Sequence, residues 1–511
     1  MRRKIEERIC DAFFRKIDRT GLALSYDDVR IRTAYSEVKP IPAEISLKTF
    51  FSRNVPLNIP VVSAPMDTVT ETEMAIVMAK LGGLGIIHKG LSPDDQASAV
   101  GRVKHHLSAF IVDPITVSPD DTVEQVLNMR TAKNYNFFSF PVVDSQRKMV
   151  GLVTRSDFRF CQDKSQKIAE IMSTDIVSGK AGLPMQQAYD LMMRRRKKIL
   201  PILDRYGKLK GIFTHKDVER ILSGSRTDYN VDADGSLRVG AAIGVGRDAE
   251  ERIELLCQKK IDVVVVDTAH GNSRDVIEAV IKTVKFCKKN YAHIDVVAGN
   301  ISEADGARRL VRAGADGLRV GQGPGAICTT RIVTGVGCPQ VTAVYNCARA
   351  VRGSKIPVCA DGGIKYSGDA AIGLATGGHS VMVGKMIAGT TESPGQKIFH
   401  GGHSYKIYRG MGSLGAMLDY KTSRERYGQG RIASDKLVPE GVEGEVEYKG
   451  DVSDVVFQLI GGVRSSMGYV GAKNIREFHQ RADFFRISGA GLAESHPHGL
   501  EYMKEAPNYH V

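Results

Sequence analysis

A thiol in a glycine-rich loop is the strongest chemical feature of this 511-residue chain. The segment Gly321-Gln322-Gly323-Pro324-Gly325-Ala326-Ile327-Cys328-Thr329-Thr330-Arg331 sets three glycines at alternate positions. Such a loop can approach a ligand closely, in backbone conformations closed to other residues. Its successive N–H or C=O groups can face an anion or a cation. Cys328 follows beside Arg331, where thiolate is favoured and accessible. The other seven cysteines, at 10, 161, 257, 287, 338, 347 and 359, read as small buried thiols. Two more glycine clusters, Asp361-Gly362-Gly363 and Gly384-Lys385, offer amides to phosphate oxygens, and Asp361 suits a sugar hydroxyl; the plainer reading is tight turning. Asn300, Arg319 and Asp267 each close an apolar run, and a carboxylate such as Asp267 suits ribose hydroxyls.

Eight short apolar runs, each followed by a glycine-rich turn and a helical stretch, must position these groups: 59–63, 84–88, 239–244, 262–267, 294–300, 317–321, 357–361 and 380–384. Continuous runs such as Val263-Val264-Val265-Val266 suit strands buried on both faces of a parallel sheet. Eight such units predict an α/β fold, a closed (β/α)8 TIM barrel, with the site at the strand ends and phosphate held after strands seven and eight. Gly244-Val245-Gly246-Arg247-Asp248-Ala249, with Asp267 downstream, mimics a dinucleotide fingerprint of an open sheet, but the other strand units fit the barrel equally well or better. Phe140-Pro141-Val142-Val143-Asp144 and Gly151-Leu152-Val153-Thr154-Arg155-Ser156-Asp157 recur 60 residues later as Leu200-Pro201-Ile202-Leu203-Asp204 and Gly211-Ile212-Phe213-Thr214-His215-Lys216-Asp217. Each copy predicts strand, turn, strand and helix. The resulting organisation is 1–107 as the first part of the barrel, 108–225 as a paired module inserted in a βα connection, and 226–511 as the remainder. Within that last part, 400–450 is too long and polar for a connector and reads as a mobile lid.

Composition excludes several classes. Hydrophobic residues are 42% and charged residues 25%, as in ordinary globular proteins. No apolar run reaches the ~20 residues of a membrane helix, and no secretory leader is visible. Cysteine spacing shows neither a zinc nor a disulfide framework, so a reducing cytoplasm is the expected location. The net charge of +13 fits phosphate-bearing small molecules better than nucleic acid as primary partner, since the one tight basic run, Arg194–Lys198, lacks interleaved aromatics.

Longer motifs carry a resemblance. Ser63-Ala64-Pro65-Met66-Asp67-Thr68-Val69-Thr70-Glu71, Gly299-Asn300, the Gly323–Arg331 loop, Ala360–Gly363, Tyr408-Arg409-Gly410-Met411-Gly412-Ser413-Leu414 and Lys436–Gly444 are similar to the inosine 5′-monophosphate (IMP) dehydrogenase family, in order and over almost the whole chain. The repeat resembles that family's inserted tandem CBS (Bateman) module. The resemblance implies oxidation of IMP to xanthosine 5′-monophosphate (XMP) with NAD and water, in guanine nucleotide biosynthesis. It makes Cys328 the nucleophile at C2, Thr330 its partner in water activation, and Arg426-Tyr427 the lid dyad, with Arg426 as base; the bland reading of Arg426 is a solvated charge. It assigns IMP contacts to Ser63, Asn300, Arg319, Asp361, Gly362, Gly363, Gly384, Lys385, Tyr408, Gly410, Met411, Gly412 and Glu440, and cofactor contacts to Asp267, Gly321 and Gly323. It implies K+ on carbonyls of Gly323, Gly325 and Cys328, completed by Glu494, Ser495 and His496 of a neighbouring subunit. A homotetramer follows, with octamers through the repeat, where adenine or guanine nucleotides would bind. Three positions depart from the pattern: Ala326 replaces a serine, Lys385 replaces another, and Gln322 stands where a small or aliphatic residue is common. Lys385 is expected to compensate for Ala326 at the phosphate.

Two rivals stand against that reading. GMP reductase shares the barrel and cysteine loop but runs reductive deamination with NADPH; it lacks the Arg-Tyr lid and usually the inserted module. A regulator on an inert barrel would instead use Gly-x-x-Thr-x-x-Asp at 151–157 and 211–217 to hold ATP or GTP, although Asp157 and Asp217 fit plain helix capping equally well.

Overall fold

The computed structural model describes residues 7–107, 110–112, 114–133, 135, 137–223, 228–504 and 506–509. The chain divides into two compact units, Met1–His106 with Thr227–Val511, and Leu107–Arg226.

The larger unit is built on eight parallel strands closed into a barrel: β1 (Val61–Ser63), β2 (Leu84–Ile87), β3 (Gly240–Ile243), β4 (Val263–Asp267), β5 (Asp295–Ile301), β6 (Gly317–Val320), β7 (Val358–Asp361) and β8 (Ser380–Val383). β8 pairs with β1, which closes the ring. Each expected run holds one of these strands, so the open-sheet reading of Gly244–Ala249 falls. Gly246 there only begins a helix, at φ +95°. Alternation along the strands divides their side chains: Val263 and Val265 join Val62, Leu84, Ile86, Val297, Cys359 and Met382 inside the barrel, over a floor of Phe51, Val55 and Leu57. Val264 and Val266 point the other way and are equally buried beneath the helices. Helices α1 (Thr72–Lys80), α2 (Pro93–His105), α3 (Arg247–Gln258), α4 (Arg274–Asn290), α5 (Ala304–Arg312), α6 (Gln340–Ala350), α7 (Ser367–Ala375) and α8 (Val452–Val470) belong to this unit.

The smaller unit enters after α2, whose start is capped by the Ser92 hydroxyl and which runs to His105. The insertion therefore lies in a helix-to-strand connection, not in the strand-to-helix connection expected, because α2 completes the second β/α unit before the chain leaves the barrel. Inside the smaller unit the repeat is visible in register. Phe140 pairs with Val153 and Pro141 with Leu152; Leu200 pairs with Phe213 and Pro201 with Ile212. Each copy has its own apolar cluster, around Phe140 and Val142 and around Leu200 and Ile202. The Asp157 carboxylate accepts hydrogen bonds from the Thr154 amide and hydroxyl, and Asp217 accepts one from the Thr214 hydroxyl. Both aspartates thus cap helices in this arrangement.

The stretch expected as a lid is folded. β9 (Lys397–His400), β10 (His403–Arg409) and β11 (Glu443–Glu447) form a three-stranded antiparallel sheet, with two short helices, Leu414–Asp419 and Lys421–Arg426, between β10 and β11. No helix among the described residues is long and apolar enough to cross a membrane.

Candidate active site at the mouth of the barrel

A cavity of about 360 Å³ opens at the C-terminal ends of the strands. Its walls come from the loops after β1, β4, β6, β7 and β8 and from the lid. Gly362 and Gly363, after β7, take φ of +90° and +78°, and a Cβ on Gly363 would stand 3.3 Å from Pro324, so only glycine lets these two loops meet. Ala326, Lys385 and Tyr408 line the same cavity. The Tyr408 phenol is pushed up by burial and by Asp361, which keeps it a hydrogen-bond donor.

Cys328 is half-buried in the cavity wall, with its Sγ 3.2 Å from the Thr330 hydroxyl. Cys161 shares that intermediate exposure, but the other six cysteines are buried. Burial pushes Cys338 up to about 11 and Cys359 up to about 12, which fixes them as inert thiols. The loop is held at both ends. The Cys328 amide donates to the Gly325 carbonyl at 3.1 Å, while the Thr329 amide donates to the Glu440 carbonyl at 3.0 Å. Val442 donates in turn to the Ile327 carbonyl, so the 436–444 segment docks along the thiol loop. Arg331 lines the cavity near Cys328, which acts on its charge, and it has a second role. Its guanidinium donates to the Gln322 carbonyl at 2.9 Å and to the Cys338 carbonyl at 2.5 Å, and so pins the loop. Gln322 gains a role too: it donates to the Ala269 carbonyl and accepts from the Ser302 hydroxyl, tying the loop to the ends of β4 and β5.

Behind the thiol runs a chain of charges across the barrel mouth. Asn300 donates to Asp361 and to the Gly321 carbonyl, both at 2.7 Å, and its side-chain Oδ1 is buried with no partner among the described residues. Arg319 bridges Asp361, at 2.8 Å, and Asp267. The second oxygen of Asp267 takes Arg426 from the lid. Asp267 is 1% exposed, with Lys89 Nζ also 4.0 Å from its carboxylate. Tyr427 lines the cavity beside Arg426, and its phenol is raised by burial and eased by that guanidinium. A Cβ on Gly412 would stand 2.6 Å from the Tyr427 ring, so glycine makes room for it. The lid is fastened at the far side by Arg409, which donates to Asp67 at 2.7 Å and Asp419 at 2.8 Å.

Of the residues expected here, Cys328, Thr330, Arg426, Tyr427, Asn300, Arg319, Asp361, Gly362, Gly363, Gly384, Lys385, Tyr408, Met411, Gly321, Gly323 and Gly325 all line the cavity. Ser63 lies one layer behind it, buried, with its hydroxyl accepting from Thr70. Gly410, Gly412, Glu440 and Asp267 also stand outside the lining, each held against a residue on or beside it. Glu494, Ser495 and His496 line no part of it; His496 instead meets Tyr509 and Tyr366. Sequence reasoning missed Gln340, whose amide donates to the carbonyls of Val320 and Asp361, and the Lys365–Asp27 pair at the rim.

A closed eight-stranded barrel with a half-buried thiol, glycine turns and a lid arginine around one cavity at its mouth has the architecture of a barrel enzyme. The comparisons narrow that class. Residues 23–498 match the IMP dehydrogenase / GMP reductase domain, and the chain belongs to that family. It is 46% identical over 494 residues to the inosine-5′-monophosphate dehydrogenase of Aquifex aeolicus, covering 96% of this chain and 98% of that one. The protein of the same name from Bacillus subtilis is 43% identical over 491 residues, with 96% and 98% covered. Among solved structures, a cysteine-to-alanine variant of GMP reductase from Trypanosoma brucei, in complex with guanosine 5′-monophosphate, superposes with a TM-score of 0.82 at 38% identity, over 94% of this chain and 98% of that one. So extensive an overlap leaves no room to omit the smaller unit, and the inserted module therefore does not separate the two activities.

Proposed function

We propose that the chain is an NAD-dependent IMP dehydrogenase, an oxidoreductase that forms XMP from IMP with NAD and water in guanine nucleotide biosynthesis. The observation that carries this reading is Cys328, exposed to a nucleotide-sized cavity with the Thr330 hydroxyl beside it and a lid arginine within the same walls. The amides at Gly362, Gly363 and Gly384, with Lys385 and the Tyr408 hydroxyl, hold the phosphate; Asp361, oriented by Arg319 and Asn300, holds the ribose. The Cys328 thiolate attacks C2 of the purine, and the hydride at C2 leaves. NAD, when bound, accepts that hydride. The purine then remains on sulfur as a thioimidate, which splits one difficult substitution into two steps.

In this mechanism the lid lifts Arg426 away from Asp267, and the freed carboxylate takes the cofactor's ribose diol. Return of the lid brings Arg426 and Tyr427 to the cavity with Thr330, where they orient the water that attacks C2 and release XMP. Glu440, fixed to Thr329 and Gly412 through its backbone, stands ready for the purine N1–H. K+ suits the loop carbonyls of Gly323, Gly325 and Cys328, completed by Glu494, Ser495 and His496 of a second copy in a homotetramer. The paired repeat takes adenine or guanine nucleotides and supports octamers. The eight unpaired thiols fit the cytoplasm.

Absorbance at 340 nm tests the reading: NADH should appear when IMP and NAD are added. Loss of NADPH absorbance with GMP, with ammonia released, would establish GMP reductase instead, a reading favoured by the Trypanosoma brucei likeness alone. The Arg426-Tyr427 lid argues for the dehydrogenase, because a water-positioning group serves only hydrolysis.

A further inference from the structure

Lys89 lies behind the cavity, against Asp267, and takes part in none of the steps above. It stands two residues beyond β2, is 5% exposed, and donates from Nζ to the Asp267 carbonyl oxygen at 2.6 Å. The Asp267 carboxylate lies 4.0 Å from the same nitrogen. Every neighbouring element contributes to its surroundings. β4 brings Asp267, β6 brings Arg319, and α3 brings Arg252, itself bonded to Asp248, Gln96 and the Leu91 carbonyl. The lid brings Arg426 and Glu425. After β3 a Cβ on Gly244 would stand 3.5 Å from Nζ, so that loop closes the remaining side. The Thr422 hydroxyl donates to the Lys89 carbonyl at 3.1 Å, which places the lid helix directly over this residue.

Three basic side chains, Lys89, Arg319 and Arg426, thus converge on two carboxylates, Asp267 and Asp361, with little access to water. A guanidinium keeps its proton throughout the working range of an enzyme, whereas an amine can lose one. Burial, then Arg426, Arg252 and Arg319, hold Lys89 well below the ordinary lysine range, with Glu425 acting in the opposite sense. Lifting the lid would remove Arg426 and readmit water, and both changes favour the ammonium.

We infer that Lys89 is a positioning residue that ties lid closure to loss of one proton: the lid seats Arg426 on Asp267 when Lys89 is a neutral amine, and the ammonium holds the lid off, leaving Asp267 to the cofactor's ribose. The proton passes to solvent. The inference rests on the proposed reading of Asp267 as the cofactor's ribose contact.

ADP-ribose, which carries the cofactor's ribose and diphosphate but cannot accept hydride, tests this by calorimetric titration of the full chain between about pH 6 and 9. Closure that releases one proton makes ADP-ribose binding weaken as pH rises, by up to about tenfold per pH unit. Lys89→Met should bind weakly with no slope. Arg426→Ala should bind tightly with no slope, since the lid no longer brings a charge to oppose the amine; this lid variant keeps the test independent of how well Lys89→Met folds. A pH-independent constant in the unaltered chain, or a slope that persists in Lys89→Met, overturns the inference alone. Failure of ADP-ribose to bind at any pH overturns the cofactor reading of Asp267, and the inference with it.

Discussion

In the proposed mechanism phosphate recognition leans on Lys385, because Ala326, which lines the same cavity, offers no hydroxyl. A charge-assisted hydrogen bond contributes about 1.5–3 kcal/mol when shielded, and less at an exposed position such as Lys385. Lys385→Ala should raise the KM for IMP about tenfold with kcat nearly kept; an unchanged KM would remove Lys385 from the phosphate site. Arg426 acts later. Arg426→Ala should leave the first hydride transfer intact and slow hydrolysis, so that rapid mixing shows a burst of one NADH per site followed by slow turnover. Loss of the burst itself would place Arg426 in the oxidation step. Cys328 and the glycine turns were legible as residues because their types restrict what they can do. The loop-pinning role of Arg331 was not legible, since closeness in sequence does not say that a guanidinium will also bond two backbone carbonyls. The signal for Lys89 was present, a lysine two residues past a buried strand, but strand ends also carry solvated charges and nothing local separates the two.

Among the elements, the barrel strands were readable because β-branched runs such as Val263–Val266 suit only strands covered on both faces. The lid was not. Its strands are polar and its helices are six residues each, stabilised by distant partners such as Arg409 with Asp67 rather than by any local pattern. The seam between β8 and the helix Ile475–Arg481 makes a prediction of its own. His379 and His479 are packed edge to face with centroids 5.2 Å apart. The His379 Nδ1 accepts from the Val358 amide, and the His479 Nε2 donates to the Gly378 carbonyl. Burial and the Arg8 guanidinium lower both, His379 to about 4. Unfolded imidazoles titrate near pH 6.5. Below that value the unfolded chain binds protons that the folded chain refuses, so stability falls as pH drops from about 6.5 towards 4, by up to ~1.4 kcal/mol per unit for each ring. Above it the pair contributes no pH dependence. Urea midpoints at about pH 7.5 and 5 should therefore differ, and His379→Gln with His479→Gln should reduce the difference. Equal midpoints in the unaltered chain would contradict the neutral pair.

Across the whole molecule, every residue lining the cavity comes from the larger unit. The smaller unit leaves and rejoins the chain between His106 and Thr227, beyond a completed helix. Joining those positions with a short flexible linker should preserve the NADH-forming reaction to within a fewfold; its abolition would show that the repeat supplies more than regulation. The repeat was legible because two copies bury the same pattern 60 residues apart, whereas its point of insertion required knowing where α2 ends. The net charge of +13 fits capture of anionic nucleotides. The most direct test remains chemical. Protein incubated with IMP and NAD, quenched in acid and digested, should yield a purine nucleotide adduct on the peptide carrying Cys328. The adduct should be enriched in Arg426→Ala, absent without NAD, and absent in Cys328→Ala, whose turnover should fall by roughly 10⁴-fold or more. NADH production that persists in Cys328→Ala, or an adduct on another residue, would contradict covalent catalysis at this thiol.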